Sequence, residues 1–304
     1  MKEYFYLNGE YVEKEKAVIP IMTHGFIYGT SIFEGIRAYY NPETKQMYAF
    51  RLFDHLKRFE ESSNIMRIGI NHSIEELTEI IKTMLKKTNY QTDVYIRPTA
   101  YKAGQTVLTH IVDNPDGLAI FTTPLGNSLE LDKGLKVCIS SWRRNSDNAI
   151  PPRAKIGGAY ANAALMATDA KLAGFDNAIA LSEEGFVTEG SAMNVFFVMN
   201  GKLVTPKPKN NILLGITRDS IIKIAKDEGI EVVERTIQRT ELYNAQEAFY
   251  TGTSAQISPI TSIDNRDLGD GKIGKITKLL QDKYFDTVRG KISKYKDWCT
   301  SIYD

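Results

Sequence analysis

The sequence predicts an α+β fold in two domains, and three observations carry that expectation. The chain has 304 residues, more than one small core needs. Alternating, strand-like runs and amphipathic, helix-like runs interleave along it without a regular βαβ beat. Residues 123–133 read TPLGNSLELDK, rich in turn formers and free of periodicity, and mark a linker between a domain of 1–122 and one of 134–304.

Composition narrows the class. Hydrophobic residues make up 42% and charged residues 25%, with 22 Gly and 10 Pro, an ordinary globular balance. Lys plus Arg, 38, nearly cancels Asp plus Glu, 37, so the charge favours neither nucleic acid nor an acidic membrane as a partner. Cys138 and Cys299 are the two cysteines, too few for a disulfide framework or a four-thiolate zinc site. The first 16 residues are charged throughout, without the apolar core of a signal peptide. No stretch approaches the roughly 18–20 apolar residues that cross a bilayer. The expectation is a reduced, cytoplasmic protein.

The elements follow in order. Tyr4–Leu7 and residues 11–12 flank Asn8-Gly9, a two-residue hairpin signal. Residues 54–67 read as a helix with Leu56, Phe59, Ser63 and Met66 along one face. Ser73 is an N-cap, Glu76 completes a capping box, and Leu77, Ile80, Ile81, Met84 and Leu85 form the stripe of a second helix. Residues 94–98, 118–122 and 135–141 read as strands. Residues 159–172 form a helix stopped by Gly174. Strands recur at 178–181, Asn194–Met199 and 202–205, with turns at Glu184-Gly185 and Asn200-Gly201. Residues 216–228 form a helix closed by Gly229, and Lys275–Val288 the last one.

Two motifs mislead. Gly269-Asp270-Gly271-Lys272-Ile273-Gly274 matches G-x-G-x-x-G, and with Lys275 nearly matches a phosphate-binding loop. Ile276 stands where such a loop needs a magnesium-binding hydroxyl, and residues 263–267 are polar rather than a buried strand. A plain turn into the final helix is expected. His24, His55, His72 and His110 are scattered without metal-ligand spacing, so no metal site is expected.

Another set of residues points to a bound phosphate. Leu214-Gly215-Ile216-Thr217-Arg218 places glycine and a hydroxyl at a helix start, where unsatisfied N–H groups favour an anion. Thr251-Gly252-Thr253-Ser254-Ala255 ends an apolar strand in a hydroxyl-rich turn. Arg58, on an amphipathic helix, can add a full positive charge. Taken singly, each also fits a plainer role as a cap, a turn or a snorkelling arginine. Lys155 stands between Pro151-Pro152 and Gly157-Gly158, off any regular solvated helix face. The glycines would let something bulky approach the backbone, and a buried lysine becomes an amine nucleophile. Glu189, in Thr188-Glu189-Gly190-Ser191, puts a carboxylate at a strand–turn junction. Pyridoxal phosphate needs such a lysine, acid and phosphate cup.

With these residues in view, the chain resembles the branched-chain amino-acid aminotransferases, pyridoxal-phosphate enzymes of fold type IV. The likeness runs through the segments Tyr28-Gly29-Thr30-Ser31-Ile32-Phe33-Glu34-Gly35-Ile36-Arg37, Arg51-Leu52-Phe53-Asp54-His55-Leu56-Lys57-Arg58 and Tyr95-Ile96-Arg97-Pro98. It continues through residues 154–160, 188–194, 214–218 and 251–255, and covers about residues 5 to 290. The resemblance implies a small N-terminal α/β domain, a larger C-terminal pseudo-barrel domain, and pyridoxal 5'-phosphate between them. It also implies a homodimer, or a multiple of one, acting on amino acids and 2-oxo acids.

Carried over by position, Lys155 would bond the cofactor and shuttle the proton, and Glu189 would face the pyridine nitrogen. Tyr160 would hydrogen-bond the ring oxygen, while Arg58, Ile216, Thr217, Thr253 and Ser254 would bind the phosphate. Ser254, Ala255 and Tyr95 would meet the substrate α-carboxylate, and Arg97 the distal carboxylate of glutamate. Tyr28, Phe33, Tyr160 and Leu125 would line the side-chain pocket. The implied reaction passes the amino group of leucine, isoleucine or valine to 2-oxoglutarate by ping-pong kinetics.

The chain departs from that pattern in three places. Residues 99–108 are less rich in glycine and apolar residues than is usual, and Ser191-Ala192-Met193-Asn194 lacks a frequent Gly-Glu pair. Leu125 and Ser128 replace aromatics common in the interdomain loop, so a larger or looser pocket is expected. Rival readings are a D-amino-acid or (R)-amine transaminase, an aminodeoxychorismate lyase, or a catalytically dead relative serving as a structural dimer. Arg97 and the run Phe33-Glu34-Gly35-Ile36-Arg37 argue against the D-amino-acid and lyase readings. The retained Lys155, Glu189 and phosphate cup argue against the last.

Overall fold

Asn8 and Gly9 take φ values of 48° and 101°, the left-handed pair that a two-residue hairpin demands, and join β1 (Tyr4–Leu7) to β2 (Glu10–Glu13). In this computed structural model the described residues are 3–126 and 131–303. They fall into two compact units: Met1–Gly126 with Ala154–Gly158 and Asp286–Asp304, and Asn127–Arg153 with Ala159–Phe285.

The first unit continues with α1 (His24–Tyr28), β3 (Ser31–Phe33), β4 (Ile36–Asn41), β5 (Gln46–Phe50), α2 (Leu52–Met66), α3 (Ile74–Thr88), β6 (Val94–Lys102) and β7 (Asp116–Pro124). The predicted capping box at Ser73 and Glu76 forms as read and starts α3. Its sheet runs in the order Cys299–Ser301, β5, β4, β6, β7, β1, β2, with β3 also on β6. β6 extends past Pro98, beyond the predicted end. Proline breaks a ladder because it has no N–H, but here it faces Glu34-Gly35, the gap between the β3 and β4 pairings. Only the Pro98 carbonyl is used, accepting from Glu34 N–H at 3.0 Å.

This division differs from the single cut expected near 123–133. The C-terminal strand Cys299–Ser301 pairs with β5, so residues from 286 onward fold with the first unit rather than with 134–285. Ala154–Gly158 also returns to it, through backbone bonds to residues 29–33.

The second unit contains β8 (Leu135–Arg143), α4 (Tyr160–Leu172), β9 (Asn177–Leu181), β10 (Val187–Gly190), β11 (Asn194–Met199), β12 (Lys202–Pro206), α5 (Ile216–Asp227), β13 (Val232–Arg235), β14 (Glu247–Gly252), β15 (Gln256–Ile263), β16 (Arg266–Asp267) and, to Phe285, α6 (Lys275–Val288). Strand order is β10, β9, β8, β15, β14, β11, β12, β13, with β16 on β15. The parallel pairs β8–β9 and β12–β13 need crossovers, which α4 and α5 supply. The sheet curls until its ends meet. Val187 N–H donates to the Ile237 carbonyl at 3.0 Å, and Phe186 bridges Gln238, just beyond β13. Val137, Ile179, Val195, Phe197, Tyr250 and Ile260 fill the inside, which is the pseudo-barrel expected. Among the described residues no helix is long and apolar enough to cross a membrane.

Candidate active site

In the first unit the segment around Lys155 is clipped to β3. Phe33 N–H donates to the Lys155 carbonyl at 3.0 Å, Gly157 N–H to Ser31 at 2.8 Å, and Gly158 N–H to Gly29 at 3.1 Å. Lys155 N–H donates to Ser62 Oγ on α2 at 3.1 Å. The Gly157-Gly158 pair, expected to admit a bulky group, instead admits the chain itself. A Cβ on Gly157 would stand 2.3 Å from Ser31 Oγ, and the Gly29 backbone lies against Gly158.

Half-buried Lys155 places Nζ 4.9 Å from the Phe33 ring centre, and Arg97 Cζ lies 4.3 Å from the same ring. Arg97 donates to Tyr95 Oη from Nε at 3.1 Å and Nη2 at 2.7 Å. Gly35 permits this, since a Cβ there would be 2.7 Å from Tyr95 Oη. The structure thus brings Phe33, Tyr95, Arg97 and Lys155 together. Leu125 is half-buried, its carbonyl accepting from Arg37 Nη2 at 2.7 Å. Tyr28 lies at the exposed end of α1, its hydroxyl donating to the Val107 carbonyl at 2.7 Å. Ser128 lies outside the described residues.

Arg58 sits in a buried polar stripe of α2 with His55 and Ser62. Ser63 and Met66, expected on one face with Leu56 and Phe59, are only half-buried, and the buried face of α2 is Leu52, His55, Leu56, Arg58, Phe59 and Ser62. Fully buried Glu34 accepts from Arg58 Nε at 2.7 Å, from Arg58 Nη2 at 2.8 Å, and pairs with His55 Nδ1 at 2.7 Å. Burial alone raises the Glu34 carboxyl, but Arg58 and His55 outweigh it and hold the group far below the usual carboxylate range. Burial pushes the His55 imidazole down, and the charges of Arg58 and Lys155 add to that against the pull of Glu34. His55 is therefore neutral at pH 7, and its Nδ1–H is the donor to ionised Glu34.

In the second unit, Glu189 on β10 is 3% exposed. Its carboxylate accepts from Arg144 Nε at 2.7 Å, Asn194 Nδ2 at 3.0 Å and Leu213 N–H at 3.2 Å. Asn194 pairs across β11 and β14 with Thr251, at the base of the Thr253–Ala255 turn. It also touches the start of α5, where a Cβ on Gly215 would lie 2.1 Å from Asn194 Oδ1. Glu189, the α5 start with Ile216 and Thr217, and the strand end leading into Thr253, Ser254 and Ala255 are thereby linked. Gly215, the α5 N-cap, has no side chain to accept the first-turn N–H groups. Buried Thr251 Oγ1 has no hydrogen-bond partner among the described residues. Tyr160 opens α4 and is half-buried.

The glycine-rich stretch 269–274 has another use. Glu247 caps α6, accepting from Ile276 N–H at 3.1 Å and Thr277 N–H at 2.7 Å, so that helix start is already filled by a carboxylate.

The family model for class IV amino-transferases matches residues 31–263. The chain belongs to the class IV aminotransferases. Within that family it is 46% identical over 303 residues to a probable branched-chain-amino-acid aminotransferase of Aquifex aeolicus (strain VF5), covering 99% of this chain and 97% of that protein. A crystal structure of branched-chain aminotransferase from Thermoproteus uzoniensis with norvaline superposes with a TM-score of 0.96 at 38% identity, over 100% of both chains. The branched-chain amino acid aminotransferase from Thermobaculum terrenum, in its PLP-form, gives a TM-score of 0.95 at 37% identity, over 100% of this chain and 99% of that one. This aminotransferase therefore matches such proteins along its whole length. The structure adds Glu34, His55, Ser62 and Arg144 as side chains held against Arg58, Lys155 or Glu189, contacts not among the sequence-based expectations.

Proposed function

We propose that this aminotransferase moves the amino group of L-leucine, L-isoleucine or L-valine to 2-oxoglutarate, with pyridoxal 5'-phosphate as cofactor. The observation that carries the reading is Lys155, clipped to β3 with its amine over Phe33, the ring that Arg97 also faces. A lysine and an arginine on one apolar ring suit a substrate with a reacting carbon at one end and, for glutamate, a carboxylate at the other.

The residues present fit the cofactor. The α5 start, which has no cap side chain, and the unpartnered Thr251 hydroxyl are donors that suit a phosphate. Arg58, with Ile216, Thr217, Thr253 and Ser254, would hold that phosphate, Tyr160 the ring oxygen, and Glu189 the ring nitrogen. When bound, pyridoxal phosphate supplies an aldehyde that condenses with amines and a ring that accepts the electron pair left at the α-carbon. Lys155 Nζ would supply the amine for the covalent link and, once the substrate amine has displaced it, would serve as the base that carries the proton from the substrate α-carbon to the cofactor carbon. Glu189, whose carboxylate accepts from Arg144 and two further N–H donors, would face the ring nitrogen and favour a proton there. Ser254, Ala255 and Tyr95 orient the α-carboxylate, and Phe33, Leu125, Tyr160 and Tyr28 exclude water from the side-chain pocket.

The active form in this reading is a homodimer, or a multiple of one. The β-bridge Thr23–Gln105 and the His24–Leu108 hydrogen bond at 2.9 Å join two segments that together expose Val18, Ile21, Met22, Phe26, Val107 and Leu108. Exposed apolar surface of this kind marks an interface, and Tyr28 lies in it. Phe26→Glu should shift sedimentation from dimer to monomer and lower activity with it. The two unpaired thiols, Cys138 and Cys299, agree with a reducing, cytoplasmic setting.

Purified protein should be yellow, and borohydride should fix the cofactor on Lys155 in a peptide map. An amino-donor panel with 2-oxoglutarate should rank leucine, isoleucine and valine first. Lys155→Ala should lower turnover by at least about 10³-fold, the scale of losing nucleophile and base together. Colourless protein with no labelled lysine would overturn the reading.

A further inference from the structure

We infer that Glu34 is a positioning residue for the cofactor phosphate, acting through Arg58. The inference rests on the reading of Arg58 as a phosphate ligand. Glu34 is fully buried, at the gap between β3 and β4, with its N–H held by the Pro98 carbonyl at 3.0 Å. Its two oxygens grip the Nε–Nη2 edge of Arg58 at 2.7 and 2.8 Å, a bidentate pairing that fixes the plane as well as the place of a guanidinium. His55 Nδ1, at 2.7 Å, in turn fixes the carboxylate.

His55, Arg58 and Ser62 all lie on the buried face of α2, and Ser62 Oγ holds the Lys155 N–H at 3.1 Å. One helix face therefore registers the guanidinium against the backbone of the reactive lysine. The pairing has two opposed effects on an anion. Glu34 lowers the local positive potential, which weakens attraction, and it removes the guanidinium's freedom to turn away, which strengthens binding. Because the pair is buried and two-pronged, orientation dominates. Glu34→Gln sets an amide N–H against the guanidinium N–H groups and cannot restore both contacts.

The test compares pyridoxal phosphate with pyridoxal, which lacks the phosphate. Each is dialysed against holoenzyme stripped of cofactor and rebound, and binding is read by absorbance. Wild-type protein binding pyridoxal phosphate establishes the underlying reading; failure there sinks that reading and this one separately from any variant. In Glu34→Gln, pyridoxal phosphate should bind roughly 10-fold more weakly, the usual scale for losing a group that orients a ligand-binding side chain. Pyridoxal should bind as in wild type. Equal losses for both compounds would mean a purely structural role, and unchanged or tighter pyridoxal phosphate binding would mean that the counter-charge dominates; either overturns the inference. Should Glu34→Gln not fold, Glu34→Asp keeps the charge but is one methylene short of both contacts. It should show the same phosphate-selective loss, and a wild-type ratio of the two affinities would overturn the inference.

Discussion

Two helices of the second unit begin at glycine-bearing turns and meet opposite fates. α6 follows the stretch that resembles a nucleotide-binding signature, yet its first-turn N–H groups are filled by the Glu247 carboxylate. α5 begins at Gly215, which has no side chain to accept its first-turn N–H groups, and Gly215 packs on Asn194, the residue that also holds Glu189. A helix start binds an external anion only where the protein has not supplied an internal one. The glycine pattern is blind to this, because the deciding residue, Glu247, lies 29 positions before Ile276.

Exchanging the two fates gives the largest expected effect. Gly215→Asp would equip α5 with the carboxylate cap that α6 has, and its Cβ would collide with Asn194 Oδ1, 2.1 Å away. Cofactor affinity should fall by about 100-fold, or about 3 kcal/mol, the scale of two charge-assisted hydrogen bonds lost. Gly215→Ala brings the collision without the charge and should lose less. Titration of pyridoxal phosphate into both variants reads the difference, and equal affinity for Gly215→Asp and wild type would refute the assignment of the α5 start.

The reverse change is smaller. Glu247→Ala strips α6 of its cap and should lower unfolding free energy by about 1–2 kcal/mol, as lost N-caps do. Cofactor affinity should not move. A denaturant titration beside a cofactor titration checks both halves, and a drop in affinity would mean that α6, not α5, serves the anion.

Much of this was legible in advance, for reasons that differ by residue. The capping box at Ser73 and the helices ended by Gly174 and Gly229 are local devices, and local rules find them. Lys155, Glu189 and the α5 start stood out because each breaks a pattern, a lysine among prolines and glycines or a hydroxyl where a helix begins. What escaped was long-range. Pairing of Cys299–Ser301 with β5 depends on residues about 250 apart, and nothing near position 300 announces it. The Glu34–Arg58 pair joins a strand gap to a helix 24 residues on. A signal for it did exist: His55, Arg58 and Ser62 recur on the inward face of α2, where three polar residues would be costly unless paired.

That first-unit stripe offers the smallest test, and it sharpens the comparison because there a buried cation, not a helix start, would meet the anion. Folded His55 gives up its proton more readily than the unfolded chain does, since burial and the neighbouring cations disfavour its charged form. The unfolded chain therefore takes up a proton first, near the ordinary imidazole value of about 6.5. Stability from this group is fully present above that pH and is lost as pH falls below it toward the folded value. The slope cannot exceed about 1.4 kcal/mol per pH unit for one proton. Glu34 acts in the same direction but only at lower pH, because its folded value is depressed below the carboxylate range. Thermal unfolding of the apo-protein between about pH 7.5 and 5.5 should thus show a falling midpoint that His55→Gln flattens. A midpoint that holds steady in the wild-type protein would show that His55 charges without cost in the fold, and that the stripe is open to water after all.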